Sequence, residues 1–230
     1  MGGNASSALY TASTWVIPVL LAVTLHEAAH GYAARRFGDN TAWMMGRVTL
    51  NPFKHVDPFG TIILPGLLLL ARSPFLFGYA KPVPVNFGAL RNPRRDMVFV
   101  ALAGPGTNIM LAIISALLFY IARLMPEPAS AWVTQNLVNS IIINVVLAVF
   151  NMLPIPPLDG GRVAVGLLPG PIAKRFAGLE PYGLLIILTI IFILPLAGQN
   201  LGVNLDFFSR FLAWVSGAII STILHVTGLE

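Results

Sequence analysis

The short sequence HEAAH places two histidines and a glutamate at a spacing that can bind a metal ion. His26 and His30 are four residues apart, so on an α-helix both imidazoles lie on one face and can hold the same ion. Glu27 lies beside them and can take a proton from a water molecule at that ion. Zinc hydrolases use this combination, with a third ligand completing the site. The motif therefore predicts zinc-dependent hydrolysis.

This motif lies inside a long apolar segment, Trp15–Phe37. An isolated ionisable group costs roughly 2.5 kcal/mol or more within a bilayer, so such groups in a predicted span indicate function. HEAAH-like sequences also occur by chance in soluble chains. The alternative here is a histidine pair that is simply hydrogen-bonded by neighbouring helices.

The composition is that of an integral membrane protein. Of 230 residues, 56% are hydrophobic and only 10% are charged, whereas soluble domains carry about 25% charged residues. Apolar segments continue to the end of the chain, so we predict one intramembrane domain over residues 1–230, with a catalytic core at about 15–165 and a C-terminal helical pair at about 182–226. The N-terminal residues lack the cleavage pattern of a signal peptide, so we expect them to stay attached.

The residue types limit the metal ligands and the partners. No cysteine occurs, so any metal site must be built from histidine, aspartate and glutamate. The net charge of +5 comes from basic residues next to apolar segments, which indicates membrane orientation rather than nucleic-acid binding. The expected partners therefore include the lipid bilayer and no nucleic acid.

Six apolar segments predict an all-α polytopic membrane protein with about five to six transmembrane helices. They are Trp15–Phe37, Thr61–Tyr79, Met97–Leu124, Trp132–Leu153, Tyr182–Ala197 and Phe207–Val226. Prolines, glycines and an arginine interrupt the second segment, which favours a broken or re-entrant element over a straight span. The polar stretches between segments predict loops or a small strand region at the inner face. Ala42–Leu50 is a candidate for an exposed strand edge that could bind an unwound substrate, with an ordinary loop as the alternative.

The basic residues orient these segments. If the first helix runs from outside to inside and the second segment returns to the side it left, only Arg123 and Arg210 of the 14 lysines and arginines lie outside. A full crossing by the second segment would largely abolish this positive-inside bias. We therefore expect a multi-pass protein of the cell membrane, with its active site towards the cytosolic side.

The third metal ligand has to reach the depth of His30. At about 1.5 Å per helical residue, His30 lies roughly 7–8 Å from the basic end of its helix, so the site is near the inner face. Glu127 and Asp206 fall on the other side in this topology. Asp159 follows the inner end of Trp132–Leu153, where prolines prevent helix and glycines permit sharp turns. It can therefore fold back to the depth of the metal.

Five motifs in this order resemble those of the site-2 protease family of intramembrane zinc metalloproteases. They are HEAAH, LNPFKHVDPFG, GYAKPVPVN, ALAGPGTN and NMLPIPPLDGGR, and they extend from Thr24 to about Arg162. The sequence contains no PDZ-like insertion, and its motif helix is the first span. It therefore resembles the compact form of that family.

The resemblance implies roles for five residues. His26, His30 and Asp159 would hold zinc, and Glu27 would act as the general base. Asn151, eight residues before Asp159, would help to stabilise the oxyanion. The resemblance also implies a substrate that is a single-span membrane protein, cut in or near its transmembrane segment in regulated intramembrane proteolysis.

Three further residues could orient a ligand or contact the substrate. His55 and Asp57 are candidates because metal-bound histidines need an outer hydrogen-bond partner; a turn-forming Asp-Pro pair and a solvated histidine are the alternative. Asn108 could donate a hydrogen bond beside the motif helix, against which Gly104 and its neighbours permit close packing. Packing alone is the alternative for this segment.

Two other functions fit parts of the pattern. A zinc-binding membrane protein without protease activity, such as an inactive relative, a scaffold or a metal carrier, would keep the ligands but would not need Glu27. A channel or transporter would distribute polar residues through several helices at midplane depth, and Asn139 and Asn144 are the notable ones here. The presence of Glu27 favours the protease over the first alternative, and the near absence of other acidic residues within the predicted spans favours it over the second.

Overall fold

The computed structural model describes residues 2–70 and 78–230, and these fold mainly into helices. The α-helices in this part of the chain are α1 (Gly2–Arg36), α2 (Thr41–Met44), α3 (Leu64–Leu70), α4 (Pro93–Ala122), α5 (Ala129–Asn151), α6 (Asp159–Leu167), α7 (Gly170–Ala177), α8 (Gly183–Leu188), α9 (Leu194–Leu201) and α10 (Phe207–Val226). Turns of π-helix occur at Pro58–Ile63 and Thr189–Ile193. The described residues contain no β-strand, so the predicted strand region is wrong.

Five helical stretches of the described chain are long and apolar enough to cross a membrane. They are Leu9–Arg36, Pro93–Ala122, Ala129–Asn151, Gly170–Leu201 and Phe207–Val226. They correspond to five of the six predicted apolar segments. The prediction of an all-α, multi-pass membrane protein is therefore confirmed.

The remaining predicted segment, Thr61–Tyr79, forms no such stretch in the described residues. Its first part is π-helix followed by α3, and residues 71–77 lie outside the described residues. The Tyr79 N–H donates to the Gly60 carbonyl at 3.0 Å. The two ends of the segment therefore lie side by side.

The strand predicted at Ala42–Leu50 fails because its backbone groups bond within the segment. Its first residues belong to α2, and Gly46 has a left-handed φ of +61°, which turns the chain. The Arg47 N–H donates to the Ala42 carbonyl at 2.9 Å. The Arg47 guanidinium donates to the Lys81 carbonyl at 3.0 Å. A side chain, rather than a ladder of backbone hydrogen bonds, thus joins this segment to the neighbouring loop.

Helices α1, α4 and α5 form the centre of the molecule. The chain enters α4 beside the end of α1, where the Arg91 N–H donates to the Phe37 carbonyl at 3.0 Å. Helix α5 begins beside the start of α1, where the Trp132 indole N–H donates to the Ser13 hydroxyl at 3.0 Å. Helices α1 and α5 therefore run in the same direction and α4 runs opposite. The ends of α1 and α5 meet the start of α4 at one end of the bundle.

Helix α10 packs against α5 in the opposite direction. Phe208 at its start lies against Phe150 near the end of α5, with ring centroids 6.3 Å apart. At the far end, the Tyr120 hydroxyl donates to the Thr227 carbonyl at 2.7 Å. Arg210 therefore lies at the same end of the bundle as the end of α5, and its predicted place outside is wrong. A π-helical turn and a proline interrupt the preceding stretch, and apolar length alone does not show at which end of the bundle α10 begins.

The loop between α5 and α6 turns tightly because glycines pack against its backbone. A Cβ on Gly160 would lie 2.2 Å from the Met152 carbonyl oxygen, and one on Gly161 would lie 2.5 Å from the Pro156 nitrogen. Gly183, the first residue of α8, approaches from the other side. A Cβ there would lie 1.9 Å from the Pro156 carbonyl oxygen. These contacts fix the loop that ends at the start of α6.

We expect Gly183→Ala to destabilise the fold. The new methyl group would collide with backbone of the loop that precedes α6, and such overpacking costs about 1–3 kcal/mol. Gly217→Ala in α10 is the matched control, because a Cβ there meets no atom within 4 Å. Thermal unfolding of the purified chains in detergent measures the difference. Equal unfolding temperatures for the two variants would contradict the packing described.

Candidate metal centre

Three side chains from two helices meet at the end of the bundle. His26 and His30 lie on one face of α1, and Asp159 is the first residue of α6. The two Nε2 atoms are 3.0 Å apart, and Asp159 Oδ2 lies 3.2 Å from His26 Nε2 and 3.3 Å from His30 Nε2. All three residues are buried. The predicted ligand set thus converges on one point.

Partners on α4 orient both imidazoles. His30 Nδ1 lies 2.7 Å from the Val100 carbonyl oxygen. A carbonyl only accepts, so Nδ1 donates and Nε2 keeps its lone pair. His26 Nδ1 lies 2.6 Å from Asn108 Oδ1, an arrangement in which the histidine again donates. Both Nε2 atoms therefore face Asp159 as acceptors.

The converging atoms suit a tetrahedral zinc site. Zinc binds histidine nitrogen and carboxylate oxygen at about 2.0–2.2 Å, which places neighbouring ligand atoms roughly 3.3–3.6 Å apart. Asp159 Oδ2 is buried and has no hydrogen-bond partner. A buried carboxylate oxygen and two nitrogen lone pairs held this close suit a shared cation.

Helix α4 approaches the two imidazoles closely because one of its residues has no side chain. Val100, Gly104 and Asn108 are spaced by four residues and lie on one face of the helix. A Cβ on Gly104 would lie 2.4 Å from His30 Nε2 and 2.6 Å from His26 Nε2. The glycine in ALAGPGTN therefore permits the close packing that the sequence predicts.

A cavity of about 130 Å³ opens beside the three converging side chains. Glu27, Val83 and Asn151 are among its lining residues. The Val83 N–H donates to Glu27 Oε2 at 2.7 Å. Asn151 Nδ2 donates to the Leu147 carbonyl of its own helix at 3.0 Å. The arrangement places a carboxylate, an amide and the possible metal ligands around one volume.

Comparison with known proteins decides the family. Peptidase family M50 matches residues 14–139 and 121–194, which together make up more than half of the chain. The chain belongs to peptidase family M50. The predicted resemblance to the site-2 protease family is therefore confirmed. No PDZ-like domain occurs in residues 2–70 and 78–230, which are helical or irregular.

The M50 relatives carry names that describe candidate zinc metalloproteases. YwhC of Bacillus subtilis (strain 168) is 41% identical over 190 residues, covering 81% of this chain and 83% of YwhC. Rip2 of Mycobacterium tuberculosis (strain H37Rv) is 30% identical over 184 residues, covering 80% of this chain and 68% of Rip2. Rip2 of Mycolicibacterium smegmatis is 30% identical over 172 residues, covering 75% of this chain and 64% of that Rip2. No solved structure matches the chain. These relatives support a metalloprotease and imply zinc.

Two predicted residues of this M50 chain lie outside the set that lines the cavity. His55 Nε2 lies 2.9 Å from the Thr49 carbonyl oxygen, to which it donates. Asp57 Oδ1 accepts from the N–H groups of Phe59 and Gly60 at the start of a π-helical turn. Both side chains hold local backbone in place, and a role for either one towards the metal or substrate stays a prediction.

Other features of the M50 site depart from the sequence predictions or were missed by them. Asn108 accepts from His26, whereas the sequence predicts a donor at this position. Val100 was missed because it acts through its backbone carbonyl, which residue type does not reveal. Asp206, excluded because it was placed outside, lies at this end of the bundle, where its carboxylate accepts from the Ser209 N–H at 3.4 Å. Val100 and Asn108 lie four residues before and after Gly104. This spacing is the sequence feature that places them on the same face of α4 as Gly104.

Proposed function

We propose that this chain is an intramembrane zinc metalloprotease that hydrolyses a peptide bond in or near the transmembrane segment of a single-span membrane protein. The observation that carries the proposal is the convergence of His26, His30 and Asp159 at 3.0–3.3 Å, with Glu27 on the wall of the same cavity. The two histidines lie on a helix long and apolar enough to cross a membrane. This supports a site within the bilayer.

Each residue of the site has a separate chemical role. His26, His30 and Asp159 hold zinc through Nε2, Nε2 and Oδ2. Bound zinc supplies a Lewis acid that makes water more acidic and polarises the scissile carbonyl. Glu27 takes the proton of the attacking water and returns it to the leaving amine. The Val83 N–H, 2.7 Å from Glu27 Oε2, holds the carboxylate towards the cavity.

The substrate has to reach the site as unwound chain. Peptide groups in a helix are hydrogen-bonded and shielded, so the substrate span must open locally. The cavity of about 130 Å³ is smaller than the roughly 300–1,000 Å³ of pockets that bind small ligands. The cavity therefore has to widen when substrate binds.

Charge supports an orientation with the site towards the cytosol. Helix α1 ends in Arg35 and Arg36, and α4 begins with Arg94 and Arg95 in its first turn. These ends lie together at the site, and the positive-inside rule assigns such an end to the cytosol. With this orientation the two ends of the segment Thr61–Tyr79, which lie side by side, are on the same side of the membrane. The protease then acts in regulated intramembrane proteolysis at the cell membrane.

Cleavage of a panel of single-span membrane proteins by the purified chain in detergent tests the proposal. We expect about one zinc per chain and product from at least one substrate. A chelator should remove the zinc and stop cleavage, and added zinc should restore it. Soluble proteins serve as uncut controls. Wild-type protein without zinc would contradict the ligand set, and zinc-loaded protein that cuts none of the panel would favour the non-proteolytic alternative.

Asn151→Ala should slow cleavage without loss of zinc. An amide that donates to the developing oxyanion contributes about 10²–10³-fold to kcat, and Asn151 lines the cavity. Asn136→Ala is the matched control, because Asn136 Nδ2 makes the same type of bond, to the Trp132 carbonyl four residues earlier on α5 at 2.9 Å. Steady-state cleavage and metal analysis measure the effect. An unchanged kcat for Asn151→Ala would contradict the oxyanion role.

A further inference from the structure

A chain of buried amides runs from the metal site into α5. Asn108 and Asn144 are 0% and 1% exposed, although unpaired amides are costly in such surroundings. Asn108 Nδ2 donates to Asn144 Oδ1 at 2.8 Å, and Asn144 Nδ2 donates to the Ser140 carbonyl at 2.9 Å. We propose that Asn144 is a positioning residue that fixes the amide of Asn108 and thereby the tautomer of His26. The inference rests on the proposed zinc site and deepens it.

The direction of each hydrogen bond between these amides follows from the Ser140 carbonyl, at which the series ends. The Ser140 carbonyl can only accept, so the group of Asn144 that faces it must be the NH2. This leaves Asn144 Oδ1 facing Asn108, which must then present its own NH2. Asn108 Oδ1 is left facing His26 Nδ1. The orientation thus follows from the network without separate assignment of each amide.

The result at His26 is a fixed tautomer. With an acceptor 2.6 Å from Nδ1, the ring carries its proton on Nδ1 and keeps the Nε2 lone pair for a metal. A reversed Asn108 amide would donate to Nδ1 and favour the tautomer with the proton on Nε2, where it would block metal binding. The tautomer of His30 does not depend on a side-chain amide. Its partner is the backbone carbonyl of Val100, which can only accept a hydrogen bond.

A second acceptor for Asn108 Nδ2 limits the loss of zinc affinity that we expect when Asn144 is removed. Asn108 Nδ2 also lies 3.3 Å from the Ala22 carbonyl, which favours the same orientation through a longer contact. Removal of Asn144 should therefore weaken the orientation of Asn108 rather than abolish it. We expect an effect on zinc affinity at the lower end of the range for outer partners of metal ligands, about tenfold.

Asn139 provides a matched control on the same helix. It is 2% exposed, and its Nδ2 donates to the Thr14 carbonyl of α1 at 3.0 Å. Asn139→Ala therefore removes a buried amide between α5 and α1, as Asn144→Ala removes one between α5 and α4, but its hydrogen bonds do not reach a histidine. The comparison separates the effect of lost packing from the effect of losing the hydrogen bonds that orient Asn108 and His26.

The first experiment measures the zinc dissociation constant of the full-length chain in detergent by competition with a chelator. Asn144→Ala should raise the constant about tenfold, while Asn139→Ala should leave it within about twofold of wild type. The visible absorption of the cobalt-substituted chain, which reports ligand geometry, should change in Asn144→Ala only. Equal affinities and spectra for the two variants would overturn the proposal.

A double-mutant cycle tests whether Asn144 acts on His26 through Asn108. Asn108→Asp presents an oxygen to His26 in either orientation and has no NH2 to donate to Asn144 Oδ1, so Asn144 can no longer help to orient it. Adding Asn144→Ala to Asn108→Asp should then not weaken zinc binding by more than about twofold, a coupling that an independent structural role would not produce. A tenfold loss that persists in the Asn108→Asp background overturns the inference and leaves the proposed function intact. Failure of the wild-type chain to bind zinc would instead overturn the proposed function.

Discussion

Glu27→Gln should retain about one zinc per chain and yield no detectable cleavage product. The amide has nearly the same shape as the carboxylate, and its oxygen can still accept the Val83 N–H, which lies 2.7 Å from Oε2 in the wild-type chain. It cannot hold the proton of the attacking water, and the loss of a general base costs about 10²–10⁴-fold or more in rate. Metal analysis and electrophoresis of a single-span substrate measure the two results.

Glu127→Gln is the control for this variant. Glu127 Oε2 also accepts a backbone N–H, that of Ala131 at 3.4 Å, but it lies at the start of α5, away from the site. It should cut at the wild-type rate. If Glu27→Gln also cuts normally, the assignment of Glu27 as the base is wrong. If the wild type is inactive with zinc bound, the non-proteolytic alternative gains support.

Gly104→Ala should weaken zinc binding roughly tenfold to hundredfold and slow cleavage accordingly. Its methyl group would lie 2.4 Å from His30 Nε2 and 2.6 Å from His26 Nε2, so either the imidazoles or α4 must move. Strain of about 1–3 kcal/mol directed at the ligand atoms corresponds to roughly a tenfold to hundredfold loss of zinc affinity. Competition with a chelator gives this affinity directly.

Gly106→Ala, on the same helix, separates the collision from a general effect of alanine. A Cβ at Gly106 meets no atom within 4 Å, and alanine favours helix over glycine by about 1 kcal/mol. This variant should bind zinc as the wild type does and be at least as stable. Wild-type zinc affinity in Gly104→Ala would show that α4 does not approach the histidines as described.

The sequence predicts the converging side chains because their chemistry resides in residue type and spacing. His26, Glu27 and His30 form a recognisable helical pattern, and Asp159 follows from the depth of the site and the prolines before it. The residues that hydrogen-bond to the two histidines were harder to predict from the sequence. Val100 acts through its backbone, and the polarity of Asn108 depends on neighbours that only the folded chain brings together.

The helices were predicted well for a similar reason, since length and hydropathy alone identify apolar stretches that can cross a bilayer. The errors arose where local hydrogen bonding decides the structure. Arg47 and α2 satisfy the backbone of the predicted strand at Ala42–Leu50 without a ladder. Apolar length does not show at which end of the bundle α10 begins, so a count of crossings placed Arg210 at the wrong end.

Helix α4 packs closely behind the two histidines, and this matters for any attempt to build the same site into another protein. HEAAH grafted alone onto an unrelated membrane helix would lack the bare backbone of Gly104 and the acceptors that hold each imidazole in one tautomer. The smallest portable module is therefore α1 joined to α4 as far as Asn108, the part of α5 that carries Asn144, and the turn that ends in Asp159. A protein engineer would need to move these four pieces together.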